Sequence, residues 1–595
     1  MEQKPKFNHL NPSVLIIGIL LVFSLSACQQ SVPAGQRFSS EKAVNIEAFM
    51  PVDTFLLAKI GTRDQDQLDV LKTLNGYFPN DPMGAFVTEF NQGFKESANL
   101  DKMNLDYEKD ILPILNNKSQ FFFSMSPGKD VSLASKDTTS ASPKVNFNIA
   151  MTVADEGKFD ALLDKQTANN LLKKEDYNGQ TIYSEINKTD TSAYLSRYMD
   201  TVFMSTNQDL LKAGLDNVKA NKDLLADNKV FQRGMSSYKP NMAIVYANLG
   251  EVIKLLGASE GKNSEEMAKA LSGMDIENIE SEILMMTAEN NGIRIASKVF
   301  AKSGVDISKT KSAANMQAYL FKKIPAVAPI FYLEGSGLKI SYEKMILAFG
   351  SDPEFTSGMT LMKDFLKTKG LDWEKDVLSF MDKGIAIVFE DTGTPIPGIG
   401  IYLDANSNLD GATKVALAIN NGFDDLMAQA LKESSDISMV LSKEEVKPGK
   451  LWKFKVNLDT VLTAAPSEIA KKLTGQKVEL YYGLLDDGVM AITLKPDLEK
   501  IYAKDQMMEK NPEFSQAMKL VNGEHRGLAY FAPVQVVQLV DSYLKLIKDA
   551  TGQAPTIPDY DSVKAAIMPL KSLIFSGGEM KADELSADFF LHIAQ

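Results

Sequence analysis

The stretch DYEKDIL at residues 106–112 returns as DWEKDVL at residues 372–378, and the segments after each copy keep the same order. An apolar segment comes next, SQFFFSM at 119–125 and GIAIVFE at 384–390. Each is followed by an apolar run that passes into a helical pattern: FNIAMTVADEGKFDALLDK from residue 147, and PGIGIYLDANSNLDGATKVALAI from residue 397. YNGQTIYSE (177–185) corresponds to GKLWKFKVN (449–457), and AYLSRYMDTVFMST (from 193) to VELYYGLLDDGVMAIT (from 478). The series continues through NKVFQRGM and NPEFSQAM, beginning at residues 228 and 511, and each half closes on two long strand patterns. Agreement this long predicts a tandem duplication: a first repeat over 46–302, a connector over 303–325 and a second repeat over 326–595. Two copies of such length are not a solenoid, whose repeats are far shorter.

Within each copy the apolar spacing alternates between two and about 3.6, so strands and amphipathic helices are interleaved. FFFSM and IVYANL read as strands, whereas EGKFDALLDKQTANNLL and SEEMAKALSGM read as helices. Turn signals in AENNGIR and LLDDGV join neighbouring strands into hairpins, which implies antiparallel pairing. The expected class is α+β: two tandem, similar lobes, each an antiparallel sheet backed by helices. Residues 128–144 read as a loop inserted in the first copy alone, and SAANMQAYLFKK in the connector has a helical pattern.

The front of the chain has a different design. Residues 1–13 are polar and carry Lys4 and Lys6; Val14 to Ala27, VLIIGILLVFSLSA, is apolar. That run is shorter than the roughly 20 residues a bilayer span needs, and it fits a signal-peptide core. Leu25-Ser26-Ala27-Cys28 resembles the lipobox of bacterial lipoproteins, which implies cleavage after residue 27 and a lipid on Cys28. Cys28 is the only cysteine of the chain, so neither an internal disulfide nor a multi-cysteine metal site is available. Two or three acyl chains would hold the protein on a membrane stably. Gln29 after the cysteine resembles the pattern of lipoproteins sorted to the outer membrane, facing the periplasm, where the cell is Gram-negative. Residues 28–45 are polar, with Pro, Gly and Ser, and read as a tether.

The formal net charge is −13. Loss of residues 1–27 would remove two lysines and one glutamate and leave −14. An acidic chain with scattered lysines argues against nucleic acid and against an electrostatic grip on anionic lipid. The 27 methionines are dispersed rather than clustered, as gap-filling core residues are.

Several short motifs invite a chemical reading and lack its context. Gly257 to Gly261 fits G-x-S-x-G, but LGEVIKLL before it is helical rather than the strand that a nucleophile elbow requires. Asp404, Asn406 and Asn408 open like a calcium loop, yet Leu409 stands where glycine is needed and Val415 where the bidentate glutamate belongs. Ser308 and Lys311 match S-x-x-K without its companion motifs, and Gly398-x-Gly400 lacks the third glycine of a dinucleotide site. Glu524, His525 and Arg526 are adjacent but have no counterpart in the first copy, and His592 lies in the final strand. The one charged cluster common to both copies pairs Asp106, Glu108, Lys109 and Asp110 with Asp372, Glu374, Lys375 and Asp376. It falls at a helix start, where acidic groups gain about 0.3–1 kcal/mol each from the helix dipole. No metal or cofactor is implied.

FMPVDTFLLAKIG, EKDILPIL, FDALLDK, YNGQTIY and LLADNKVFQRGM resemble the bacterial family catalogued as domain of unknown function 3352, most densely over residues 49–250. Pro51, Asp53 and Thr54 match that family's opening. The resemblance implies an envelope protein and supplies no catalytic residues. The expectation is therefore a lipid-anchored protein of the bacterial cell envelope, a binding or structural module rather than an enzyme. Its expected partners are the membrane, through the anchor, and an envelope protein or apolar ligand. A lipid-like ligand and an enzyme with an unsigned carboxylate site are the alternatives.

Overall fold

The computed structural model describes residues 46–594, leaving out 63, 79–108, 110–113, 115–119, 129–144, 187–192, 223–224, 226–227, 236–240, 253–277, 310–318, 337, 351, 382, 395, 434–440, 448, 458–476, 522–525 and 554. The expected signal peptide, Cys28, the tether, Asp106, Glu108, Asp110, the 257–261 motif and His525 all lie outside the described residues. The chain divides into two compact units, the first ending at Lys302 and the second resuming at Ser303.

The first unit contributes ten strands: β1 Leu56–Ile60, β2 Phe121–Pro127, β3 Val145–Thr152, β4 Leu172–Tyr177, β5 Gln180–Glu185, β6 Tyr194–Tyr198, β7 Thr201–Ser205, β8 Ala243–Asn248, β9 Ile279–Glu289 and β10 Gly292–Ala301. Every pairing among them is antiparallel, and they lie in the order β10-β9-β8-β1-β2-β3-β7-β6-β5-β4.

The second unit contributes β11 Pro329–Ser336, β12 Gly384–Glu390, β13 Gly398–Asp404, β14 Leu441–Val446, β15 Lys450–Asn457, β16 Lys477–Leu484, β17 Val489–Leu494, β18 Leu528–Phe531, β19 Leu570–Met580 and β20 Glu584–Ile593. These are again antiparallel throughout, in the order β20-β19-β18-β11-β12-β13-β17-β16-β15-β14. Adding ten to each strand number of the first order gives the second. The fold class is α+β.

Local chemistry accounts for the connections. Asn178 and Gly179 between β4 and β5 both have positive φ, 52° and 73°, as a two-residue hairpin turn of the primed type demands. Asn207 caps helix Gln208–Ala220 by accepting from the N–H groups of Asp209 and Leu210. The outer strands β4 and β14, LKKEDY and LSKEEV, are both rich in charge, which discourages pairing of their free edges with another chain. The helical pattern expected to run to Leu172 stops earlier, at Ala168, because Leu172 is drawn into β4 opposite Glu185. Of the connector helix, the described end is a single 3-10 turn, Leu320–Lys322.

Each unit has its largest core cluster on one face of its sheet and smaller apolar clusters on the other. In the first, Phe49, Leu57, Phe122, Phe203, Leu211 and Tyr246 pack together; in the second, Tyr332, Val388, Tyr402, Tyr481, Phe514 and Tyr530 do. Full burial of a large apolar side chain contributes about 1.5–3 kcal/mol, so these two clusters are the largest apolar contributions to the fold.

Candidate functional site: a buried charge network and an apolar sheet face

The charged residues that matter most in the second unit are not in any sequence motif. Glu390 ends β12 and Lys495 follows β17, so both side chains enter the core at the end of the sheet, where they are almost fully buried. Lys495 Nζ donates to Glu390 Oε1 and, at 2.8 Å, to the carbonyl of Pro325. Glu390 Oε2 accepts the N–H of Val327 at 3.0 Å. The pair therefore fastens the chain leading into β11 onto two strand ends. Gly398 is held small by this arrangement, since a Cβ there would lie 2.8 Å from Glu390 Cγ. In the first unit the positions that match Glu390 and Lys495 by strand register are Ser126 and Asn207, so the ion pair belongs to one copy alone.

A second network lies one strand further out. Lys453 Nζ donates to Glu499 Oε1 at 2.5 Å and to Glu444 Oε1 at 3.0 Å. The hydroxyl of Tyr481 sits between the carboxylates of Glu479, at 2.8 Å, and Glu499. Burial acts to raise the Glu499 carboxyl, but the hydrogen bonds from Lys453 and Tyr481 outweigh it and hold the group below its ordinary value. Among the described residues, no cation pairs with Glu334 on β11. It accepts from Tyr332 Oη at 2.5 Å and from the N–H groups of Tyr319 and Leu320 at 2.7 and 2.8 Å. Burial dominates there and pushes the carboxyl up to about 7.

A cavity of about 330 Å³ opens beside Glu390, lined also by Val327, Asp391, Thr392, Pro496 and Ile501. Its volume is at the low end for small-molecule sites. Both Glu390 oxygens are already engaged, and Thr392 Oγ1 donates to the Ile396 carbonyl at 2.7 Å, so these groups are committed to the fold.

The opposite face of the same sheet is apolar. Strand register aligns Phe575, Ala529, Leu333, Ile387 and Ile401 in one row across β19, β18, β11, β12 and β13. The neighbouring row is Leu573, Phe531, Phe331, Phe389 and Ile399. Helix Leu409–Glu433 covers this face further along, over Leu403 and Met490. It leaves Leu333, Ile387, Ile399, Ile401, Phe531 and Phe575 each 36–47% exposed. The matching row of the first unit, Leu284, Val245, Ala58, Phe123 and Ile149, is buried or half-buried.

The motif residues of the sequence have ordinary places. Asp404 accepts from Asn406, and Asn408 caps helix Leu409–Glu433 through the N–H of Gly411 at 2.9 Å. Gly398 and Gly400 lie inside β13, with no phosphate-binding turn; a Cβ on Gly400 would meet the ring of Tyr402 at 2.6 Å. Ser308 bonds Asp306 in a short 3-10 turn, and His592 lies buried in β20, where desolvation lowers its basicity. Of the repeated charged cluster, Asp372 caps the turn Trp373–Val377 through the N–H of Lys375, and Glu374 meets Lys363. Asp376 does more than sit at the helix start expected of it. It is buried and pairs with Lys414 at 2.8 Å, tying that turn to helix Leu409–Glu433.

A model of the family described as Protein of unknown function (DUF3352) matches residues 13–572. The chain belongs to this family. Comparison of this DUF3352 member with curated proteins finds no match. Among solved structures it is similar to "Structure of crystal form I of TP0453" at 9% identity, covering 44% of this chain and 81% of that one, with a TM-score of 0.23. Crystal form IV of the same protein gives 10% identity, 43% and 81% coverage and the same TM-score of 0.23. Among the described residues of this DUF3352 chain, no helix is long and apolar enough to cross a membrane, and no cluster of His, Cys, Asp or Glu is placed to hold a metal.

Proposed function

We propose that the chain is a lipid-anchored protein of the bacterial cell envelope, attached through Cys28, whose body is a non-catalytic binding module built from two tandem copies of one α+β unit. The apolar face of the second unit carries this reading. Contiguous exposed apolar surface on a folded domain marks a binding surface, and here it spans five neighbouring strands. The buried acids support the same view, because Glu390, Glu479 and Glu334 are bound by groups that fix backbone rather than aimed at an open cleft. The matching strand orders support the duplication. In this reading one copy keeps its second face covered and the other has released it for a partner.

The test is complementation of a strain lacking the protein. Ile387→Asp with Ile401→Asp should fold, remain on the membrane and fail to complement. Glu390→Gln with Lys495→Met should complement wherever the protein accumulates. The reverse pattern would point to an enzyme working at the buried charges. Cys28→Ser should abolish palmitate labelling and release the chain from the membrane.

A further inference from the structure

We infer that the exposed strip on the second unit seats one long acyl chain of a membrane phospholipid, laid across the strands; this rests on the lipid anchor proposed above. Three observations select that occupant. The first is size. Five neighbouring strands, β19 to β13, span about 19 Å at a spacing of about 4.8 Å. An acyl chain in one leaflet covers about 15 Å, half of a hydrocarbon core about 30 Å thick. The strip is two residues deep along the strands, so a single chain lies between the rows with apolar side chains on either side.

The second is charge. The two rows contain no ionisable side chain, and the whole chain carries −13. Recognition of an anionic head group is thus disfavoured, and affinity comes from the hydrocarbon. The third is reach. The 18 residues of 28–45 extend at most about 65 Å, at about 3.3–3.6 Å per residue, so a chain anchored at Cys28 keeps its body permanently beside a bilayer. A large apolar protein partner would have to compete with that constant supply of lipid. Among the described residues the matching row of the first unit is buried or half-buried, so the strip is assigned to the second unit.

The inference is tested in the full-length protein on its own membrane. A benzophenone amino acid is placed at Ile387 or Ile401, with Ser442 on the exposed edge strand β14 as control. After irradiation, phospholipid adducts at 387 and 401 should exceed those at 442 by at least tenfold. Adding Ile401→Asp to the chain probed at 387 should reduce them about as much. Adducts that are mainly polypeptide, or lipid adducts no more frequent at 387 than at 442, would overturn it. Fractionating the same samples separates the two ideas. Soluble protein bearing the lipid adduct leaves the site standing and removes the anchor; membrane-bound protein without the adduct keeps the anchor and removes the site.

Discussion

The ring of Phe231 meets Tyr246 edge-on, with centroids 5.2 Å apart and planes at 89°. The same relation recurs between Phe514 and Tyr530, at 5.2 Å and 79°. The two phenylalanines occupy matching places in KVFQRGM and PEFSQAM, and the two tyrosines pair with Leu57 and Tyr332 in register-equivalent strands. Each pair locks a short helix onto its sheet at the centre of a core. Phe231→Ala and Phe514→Ala should each cost about 3–5 kcal/mol, with part of that owed to the edge-to-face contact. Urea unfolding of the two variants against the parent chain checks it. A loss under 1 kcal/mol at either position would mean that the contact is peripheral.

Lys495 and Glu390 should behave as a coupled unit. Removing one partner strands a buried charge, so Lys495→Met or Glu390→Leu alone should cost about 3–5 kcal/mol. The double replacement should recover much of that, because it removes the desolvation penalty together with the attraction. A double-mutant cycle by chemical denaturation gives the coupling directly. Additive losses would show that the two groups act independently, contrary to the shared fastening of Pro325 and Val327.

Glu334 makes stability depend on pH in an uncommon direction. Its carboxyl titrates near 7 in the folded chain against 4.5 ordinarily, so the folded state holds the proton more tightly. Its contribution is largest below pH 4.5, declines between 4.5 and 7, and is gone above 7; the full range is about 3 kcal/mol. Glu334→Gln should flatten that part of the profile. Urea midpoints at pH 5 and pH 8 provide the comparison, and an identical pH difference in the variant would assign the effect to another group.

Much of the chain's secondary structure was legible, because hairpin turns and helix caps are local. AENNGIR and LLDDGV mark the β9–β10 and β16–β17 turns, and Asp372 caps its turn as its position in DWEKDVL suggests. The two faces of the sheet were not separable. IAIVFE, IFYLEG and GIGIYLD are apolar at nearly every position, so the alternation that usually tells core from surface is lost. Only register shows that Tyr332, Val388 and Tyr402 point into the core while Leu333, Ile387 and Ile401 do not. Glu390 and Lys495 were hidden for another reason. They stand 105 residues apart, and each reads alone as a solvated strand end.

The repeated acidic cluster separates into two roles that substitution can tell apart. Asp372 is a helix cap, so Asp372→Ala should cost about 1 kcal/mol. Asp376 accepts from Lys414 and from the N–H of Asp372 while itself buried, and those bonds hold its carboxyl below the ordinary range. A lowered carboxyl contributes stability above its ordinary pKa and loses that contribution as the pH falls through the folded value. Asp376→Ala leaves a backbone donor unmet at the junction with helix Leu409–Glu433, and should cost about 2–3 kcal/mol. Lys414 is largely exposed, so Lys414→Met should cost under about 1 kcal/mol. The three variants are compared by thermal and urea unfolding at pH 7 and again at about pH 2. Asp376→Ala should be the most destabilised at pH 7 and lie closer to the parent at about pH 2, where the carboxyl is protonated in the folded chain as well. Equal losses for Asp372→Ala and Asp376→Ala would return Asp376 to the plain helix-start role that its sequence suggests.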